Sequence, residues 1–153
     1  MYARHSNALA PIIRVDQGIQ AIERVYSECV DMLPVGGIYY RYSSRAEKNQ
    51  TSYTTMRRYN EKRDQKKIQR LVITNEDLVK ISTPKRGRET LAFPSHFPFK
   101  QNFQKLIYAD RIAIIDLESL TVCVIQSKLL ASFEAAIFTC LFHYIRAENE
   151  GRI

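Results

Sequence analysis

Cysteine, histidine and glycine are scarce in this chain, and each scarcity removes a class of chemistry. The 153 residues include three cysteines, three histidines and five glycines. Cys29, Cys123 and Cys140 make an odd count at wide spacing among apolar neighbours. They read as small buried hydrophobes in a reducing compartment, not as a disulfide framework. No CxxC pair or Cys/His cluster offers a metal its ligands. His5, His96 and His143 stand apart from any serine or cysteine in a nucleophile pattern. The single glycine of "PKRGRE" does not make the several-glycine loop that cradles a phosphate ahead of a helix. Asp110, Asp116 and Glu118 fall near hairpin turns, where acids are ordinary turn residues. No catalytic residue, metal or cofactor is expected, and an enzyme is not the expected class.

Long apolar runs are also missing. The longest, Leu129 to Ile145, is interrupted by Glu134 and His143 and falls short of the ~20 residues that span a bilayer. The first residues, "MYARHSNALAPIIRVDQG", lack the charged start and apolar run of a secretion signal. The expectation is a cytoplasmic protein with no membrane partner. No repeat, low-complexity tract or linker divides the chain. With 45% hydrophobic and 25% charged residues it reads as one globular domain. The expected boundaries are an N-terminal arm at 1–10, a domain at 11–147 and a tail at 148–153.

What the chain has in excess is positive charge, concentrated in one place. Residues 41–88 hold 14 of the 23 Lys/Arg but only 5 of the 16 Asp/Glu. This segment suits a polyanion or an anionic small molecule, or equally a solvated helix face.

Periodicity outlines the elements. "DQGIQAIERVYSECVDML" puts Ile19, Ile22, Tyr26, Cys29, Val30 and Leu33 on one helical face, with Asp16 as the expected N-cap. "GIYYRYSS" reads as a strand. "TSYTTMRRYNEKRDQKK" is a mostly polar helix, and "IQRLVIT" a second strand. A strand, a helix and a strand make a right-handed crossover, so the two strands should be parallel. "QKLIY-AD-RIAIIDL" is a hairpin turning on Ala109-Asp110, followed by the strand "TVCVIQS". A final helix begins at Lys128. The expected order is α-β-α-β-β-β-β-α, an α/β sandwich with a mixed sheet flanked by helices. The last helix is apolar nearly all round, which calls for burial on both sides. Its second side meets either another subunit or the loop around Phe93 to Phe99.

Binding is the remaining class of function. In sheets of this kind ligands lie beyond the carboxyl ends of the parallel strands. Those ends carry Tyr42, Ser43, Ser44 and Arg45 after the first strand, and Thr74 and Asn75 after the second. Hydroxyls and an amide donate and accept, Tyr42 offers a face to a sugar, and Arg45 can take a carboxylate or phosphate. The candidate ligand is a small polyhydroxylated or anionic molecule. The structural alternative is that Ser43 and Ser44 cap the next helix or tighten the turn. A second functional reading is nucleic-acid binding by Arg57, Arg58, Lys62, Arg63, Lys66, Lys67 and Arg86, with interleaved tyrosines stacking on bases.

Several stretches together resemble a known family. "IIRVDQGIQAIERVY", "YYRYSSRAEK" and "YNEKRDQKKIQRLVITNE" are followed by Asp110-Arg111-Ile112-Ala113-Ile114-Ile115. Ser127-Lys128-Leu129-Leu130-Ala131 then runs on through Phe133 and Phe138. Over residues 11–145 this pattern resembles the C-terminal domain of TrmB-type sugar-sensing transcriptional regulators. The resemblance implies a phospholipase D-like fold used as an effector-sensing module. It also implies a small-molecule effector of the sugar or sugar phosphate class. The two apolar sides of the C-terminal helix, read from the residues themselves, make a homodimer through that helix the expected assembly. The enzymes of that fold need an H-x-K signature. Here His5 precedes Ser6-Asn7, His96 precedes Phe97-Pro98 and His143 precedes Tyr144-Ile145, which fits a non-catalytic binder. The family's winged helix has no counterpart in the matched stretch, so DNA is expected as a partner only indirectly or through another chain.

Overall fold

The computed structural model describes residues 9–44, 53–80, 86–94, 96 and 101–152. The elements in chain order are β1 (Ile12–Gln17), α1 (Ile19–Met32), β2 (Ile38–Ser44), α2 (Tyr53–Gln65) and β3 (Gln69–Thr74). After these come α3 (Glu76–Lys80), β4 (Arg88–Ala92), β5 (Phe103–Tyr108), β6 (Arg111–Asp116), β7 (Thr121–Gln126) and α4 (Lys128–Asn149). The strands form one mixed sheet in the order β1-β7-β6-β5-β2-β3-β4. β2, β3 and β4 are parallel, whereas the strands from β5 to β1 pair antiparallel. The parallel β2–β3 pair is the crossover the sequence predicts. The β5–β6 hairpin turns where expected, with Ala109 in the left-handed region at φ 48°.

Alternation along the strands divides the core between two faces. On one face Tyr39, Leu106, Tyr108 and Ile115 meet Ile22, Val25, Tyr26 and Cys29 of α1 and Tyr59 of α2. On the other, Tyr40, Tyr42, Leu71, Ile73 and Ile107 meet Phe138, Phe142 and Ile145 of α4. Phe138 and Phe142 are fully buried. Burying a ring of that size contributes about 1.5–3 kcal/mol. Helices therefore cover both faces of the sheet.

Two expectations need correction. The order α-β-α-β-β-β-β-α omits β1, α3 and β4. β1 and β4 are the two edges of the sheet, where little is buried and the alternation of a half-buried strand is weak. Asp16 is not a helix cap: it pairs with Val122 inside β1 and its carboxylate meets Arg14 at 3.2 Å. α1 starts instead after Gly18, whose φ of 102° reverses the chain without a side-chain cap. α4 runs through Asn149, two residues beyond the helix end read from the sequence.

α4 starts where the sequence predicts and carries apolar residues on two sides. Ser127 caps it, accepting from the Leu130 N–H at 3.2 Å. Ala131, Phe138, Phe142 and Ile145 form its buried stripe. On the opposite side Leu129, Phe133, Ile137 and Tyr144 are 49–74% exposed in the single chain. By length and composition α4 would suffice to cross a membrane. Here it packs on the sheet and carries Glu134, whose carboxylate pairs with Lys105 of β5.

Candidate functional site

The parallel strands end together, and register brings most of the predicted polar residues into one place. Ser43 lies opposite Thr74. Thr74 Oγ1 donates to the Ser43 carbonyl at 2.5 Å, and Asn75 Nδ2 donates to Ser44 Oγ at 3.3 Å. Gln104 Nε2 donates to Ser43 Oγ at 3.4 Å, while its Oε1 accepts from the Tyr26 hydroxyl. This network ties α1, β5, β2 and β3 together at one end of the sheet. Ser43, Ser44, Thr74 and Gln104 are each no more than 6% exposed. They lie within the fold, and their hydrogen-bonding capacity is largely spent there. Asn75 is closer to the surface, and its carbonyl accepts from Leu78 and Val79 to start α3.

Tyr42 is not part of this group. One step of alternation sends it to the opposite face, where its ring lies 4.9 Å from that of Phe138 and 5.5 Å from Lys105 Nζ. Burial, with the Glu134 carboxylate adding to it, pushes its phenol up to about 12. Arg45 lies outside the described residues.

Beyond the carboxyl ends of β3 and β4 there is a cavity of about 390 Å³. It is lined by Glu76, Ala92, Phe93, Pro94, His96, Ile145, Glu148 and Asn149. Glu76 directly follows Asn75, and Ala92 ends β4. Glu148 and Asn149 come from the last turn of α4, more than 70 positions later, so no local pattern links them to the strand ends. Phe93 and Ile145 supply an apolar wall, and the carboxylates, amide and imidazole supply polar groups. Two carboxylates in the lining disfavour an anion and suit a neutral ligand rich in hydroxyls.

The basic residues of α2 and its surroundings do not form one surface. Arg63 is 6% exposed and hydrogen-bonds Asn60 and Asp64. Lys66 Nζ donates to the carbonyls of Val30, at 2.6 Å, and Leu33, closing the C-terminus of α1. Lys62 is paired with Asp31, and Arg57 with Glu61 at 3.1 Å. Arg58, Lys67 and Arg86 are exposed. Among the described residues no group of three or more His, Cys, Asp or Glu is placed to hold a metal ion.

These features define a mixed α/β protein with a seven-stranded sheet, helices on both faces and a cavity at the carboxyl ends of its parallel strands. No protein-family model and no curated protein sequence matches the chain. Among solved structures it is similar to TrmBL2, described as an archaeal chromatin protein with a novel mode of DNA binding. The TM-score is 0.53 at 11% sequence identity, over 90% of this chain and 50% of that one. At that identity the likeness is one of fold. This chain spans about half the length of TrmBL2.

Proposed function

We propose that this chain is a non-catalytic effector-sensing domain of the TrmB-like, phospholipase D-related kind, and that it binds a small neutral polyhydroxylated molecule of the sugar class. The observation that carries the reading is the cavity beyond the carboxyl ends of β3 and β4, where open α/β sheets hold their ligands. Glu76 at its β3 side, with Glu148 and Asn149 opposite, would take hydroxyls, and Phe93 would take a sugar face. The shared fold with TrmBL2 agrees with a role in transcriptional regulation, with DNA engaged indirectly or by another chain. Three free thiols suit the cytoplasm.

A sensor acts by favouring one of two arrangements when its effector binds. We assign that arrangement to a homodimer built on α4. Ile13, Val15 and Ile114 are exposed on the sheet beside α4, and Phe133 and Ile137 are exposed on the helix itself. A second copy related by a two-fold axis would lay its α4 ridge on this bare half of the sheet. The missing part of the layer would then be completed in both copies.

The binding test is a thermal-shift screen of neutral sugars. A true effector at about 100 times its dissociation constant adds roughly 2.7 kcal/mol to stability. The same sugar should fail to stabilise Glu148→Ala or Glu76→Ala. If a sugar stabilises those variants as well as the native protein, it binds elsewhere and the site is wrong.

A further inference from the structure

β1 is an edge of the sheet, and its own residues do little to close it. It pairs with β7 on one side, and among the described residues no strand pairs with its other side. Edge strands that avoid a second chain carry lysine, proline or a bulge. Ile12–Gln17 contains neither residue, and its register with β7 runs one-to-one from the Ile12–Gln126 rung to the Gln17–Thr121 rung. Ile12, Ile13 and Val15 are each 64% exposed. The strand carries one charge of each sign, Arg14 and Asp16.

Two backbone bonds fix which groups of β1 face outward. The Gly18 N–H donates to the Leu120 carbonyl at 2.8 Å, one rung beyond Gln17–Thr121. The Ser127 N–H donates to the Asp110 carbonyl at 2.9 Å, one rung beyond Arg111–Gln126. Antiparallel rungs alternate between bonded and non-bonded pairs. Both bonds therefore turn the N–H and C=O groups of Ile12, Arg14 and Asp16 toward β7. Those of Ile13, Val15 and Gln17 point to the open edge. Side chains alternate between the faces on the same count. Arg14 and Asp16 stand on the α1 face, where Arg14 Nε meets Asp16 at 3.2 Å and Arg14 Nη2 meets Glu28 at 3.3 Å. Ile13 and Val15 stand on the other face, where Val15 shares a rung with Cys123 and Ile114.

We propose that β1 pairs antiparallel with β1 of a second copy, about a two-fold axis at Val15. Outward-facing residues alone bond across such a seam, so Ile13, Val15 and Gln17 pair among themselves. An axis at Val15 bonds Val15 to its own copy and Ile13 to Gln17. It also sets Arg14 opposite Asp16 of the second copy, twice, on non-bonded rungs where side chains come closest. The other registers fail. An axis at Arg14 or at Asp16 sets that residue against itself, and like charges directly opposite are destabilising. An axis at Ile13 brings Pro11, which has no N–H, opposite Val15, and one at Gln17 runs into α1. The Arg-Val-Asp triplet is thus complementary to itself in one register. The seam is one strand long and exchanges water hydrogen bonds for protein ones, each with a small net gain. It therefore forms at higher concentration than a packed apolar contact. It uses edge backbone and charges that the α4 contact does not, so each stands or falls without the other.

Amide hydrogen exchange of the full chain, followed from micromolar to near-millimolar concentration, tests the seam. The Ile13, Val15 and Gln17 amides are expected to gain protection as concentration rises, while those of Arg14 and Asp16 are protected throughout. Phe133→Asp, which breaks the α4 contact, should leave this behaviour unchanged. Protection of the first set at every concentration would mean that the chain covers its own edge. Protection at none would mean that the edge stays bare, and either result overturns the proposal. Charge reversal tests the register by sedimentation, in the Phe133→Asp background so that the α4 contact does not contribute. Arg14→Asp and Asp16→Arg should each weaken self-association by about tenfold or more, because like charges then face each other. An equimolar mixture of the two should associate again. A mixture no more associated than either variant alone overturns the proposal. Val15→Pro removes an outward N–H and spares the β7 ladder, so it decides the matter if Arg14→Asp does not fold. A folded Val15→Pro protein that self-associates as its parent does would also overturn it.

Discussion

Single side chains join the two ends of the α1 layer to the sheet, and Glu28 is the clearest case. Its carboxylate meets Arg111 Nη1 at 2.5 Å, accepts from the Tyr108 hydroxyl at 2.9 Å and from Arg14 at 3.3 Å. Burial alone would raise its pKa, but the hydrogen bonds and charge of Arg111, with those of Tyr108 and Arg14, hold it below the ordinary 4.5. A carboxyl with a lowered folded pKa stabilises the protein above the unfolded value and loses that contribution as pH falls through the folded value. Glu28→Gln should therefore destabilise the protein at pH 7 by about 1–3 kcal/mol. The difference from the native protein should shrink as pH drops below about 4.5. Urea unfolding at pH 7 and pH 3.5 checks this. An equal difference at both pH values would mean that the ionised carboxylate is not the cause.

Among the elements, α4 combines two roles on two sides. Its stripe of Ala131, Phe138, Phe142 and Ile145 belongs to the core, whereas Phe133 at 60% exposure and Ile137 at 49% belong to the surface. Charge on the surface side should leave folding intact but make the helix unfit to meet a second copy. Phe133→Asp is expected to convert a dimer to a monomer in light scattering with little change in melting temperature. A native protein that is already monomeric at micromolar concentration would remove the dimer. β1 and β4 show a different property. They are held by backbone pairing at the sheet edges more than by burial, so their side chains are free to be polar or scattered. That freedom is why neither strand stands out in the residue pattern.

For the whole molecule, the formal charge of +7 will attract polyanions at low salt. The fold disperses that charge, because Arg63 is buried, Lys66 closes α1 and Lys62 is paired. Among the described residues of α2 and its surroundings, Arg58, Lys67 and Arg86 remain exposed to meet phosphates. Short oligonucleotides are therefore expected to bind weakly at about 50 mM salt and to be released by about 200 mM, without sequence preference. Fluorescence anisotropy across that range checks it. Binding that survives 200 mM salt would restore the basic segment as a nucleic-acid surface.

The amino-acid order alone determined the parallel β2–β3 crossover, the β5–β6 hairpin and the apolar core stripes, because each depends on the spacing of neighbouring residues. It also placed Ser43 and Thr74 near each other, since a crossover of known hand brings consecutive strand ends together. Tyr42 was assigned to the same group, although alternation sends it across the sheet. Contacts between distant parts of the chain carry no such local signal. The placing of Glu148 and Glu76 around one cavity, and of Gln104 against Ser43, depends on how elements stack and in what order the strands lie. Tertiary structure alone therefore decided which polar groups line a cavity and which are spent inside the fold.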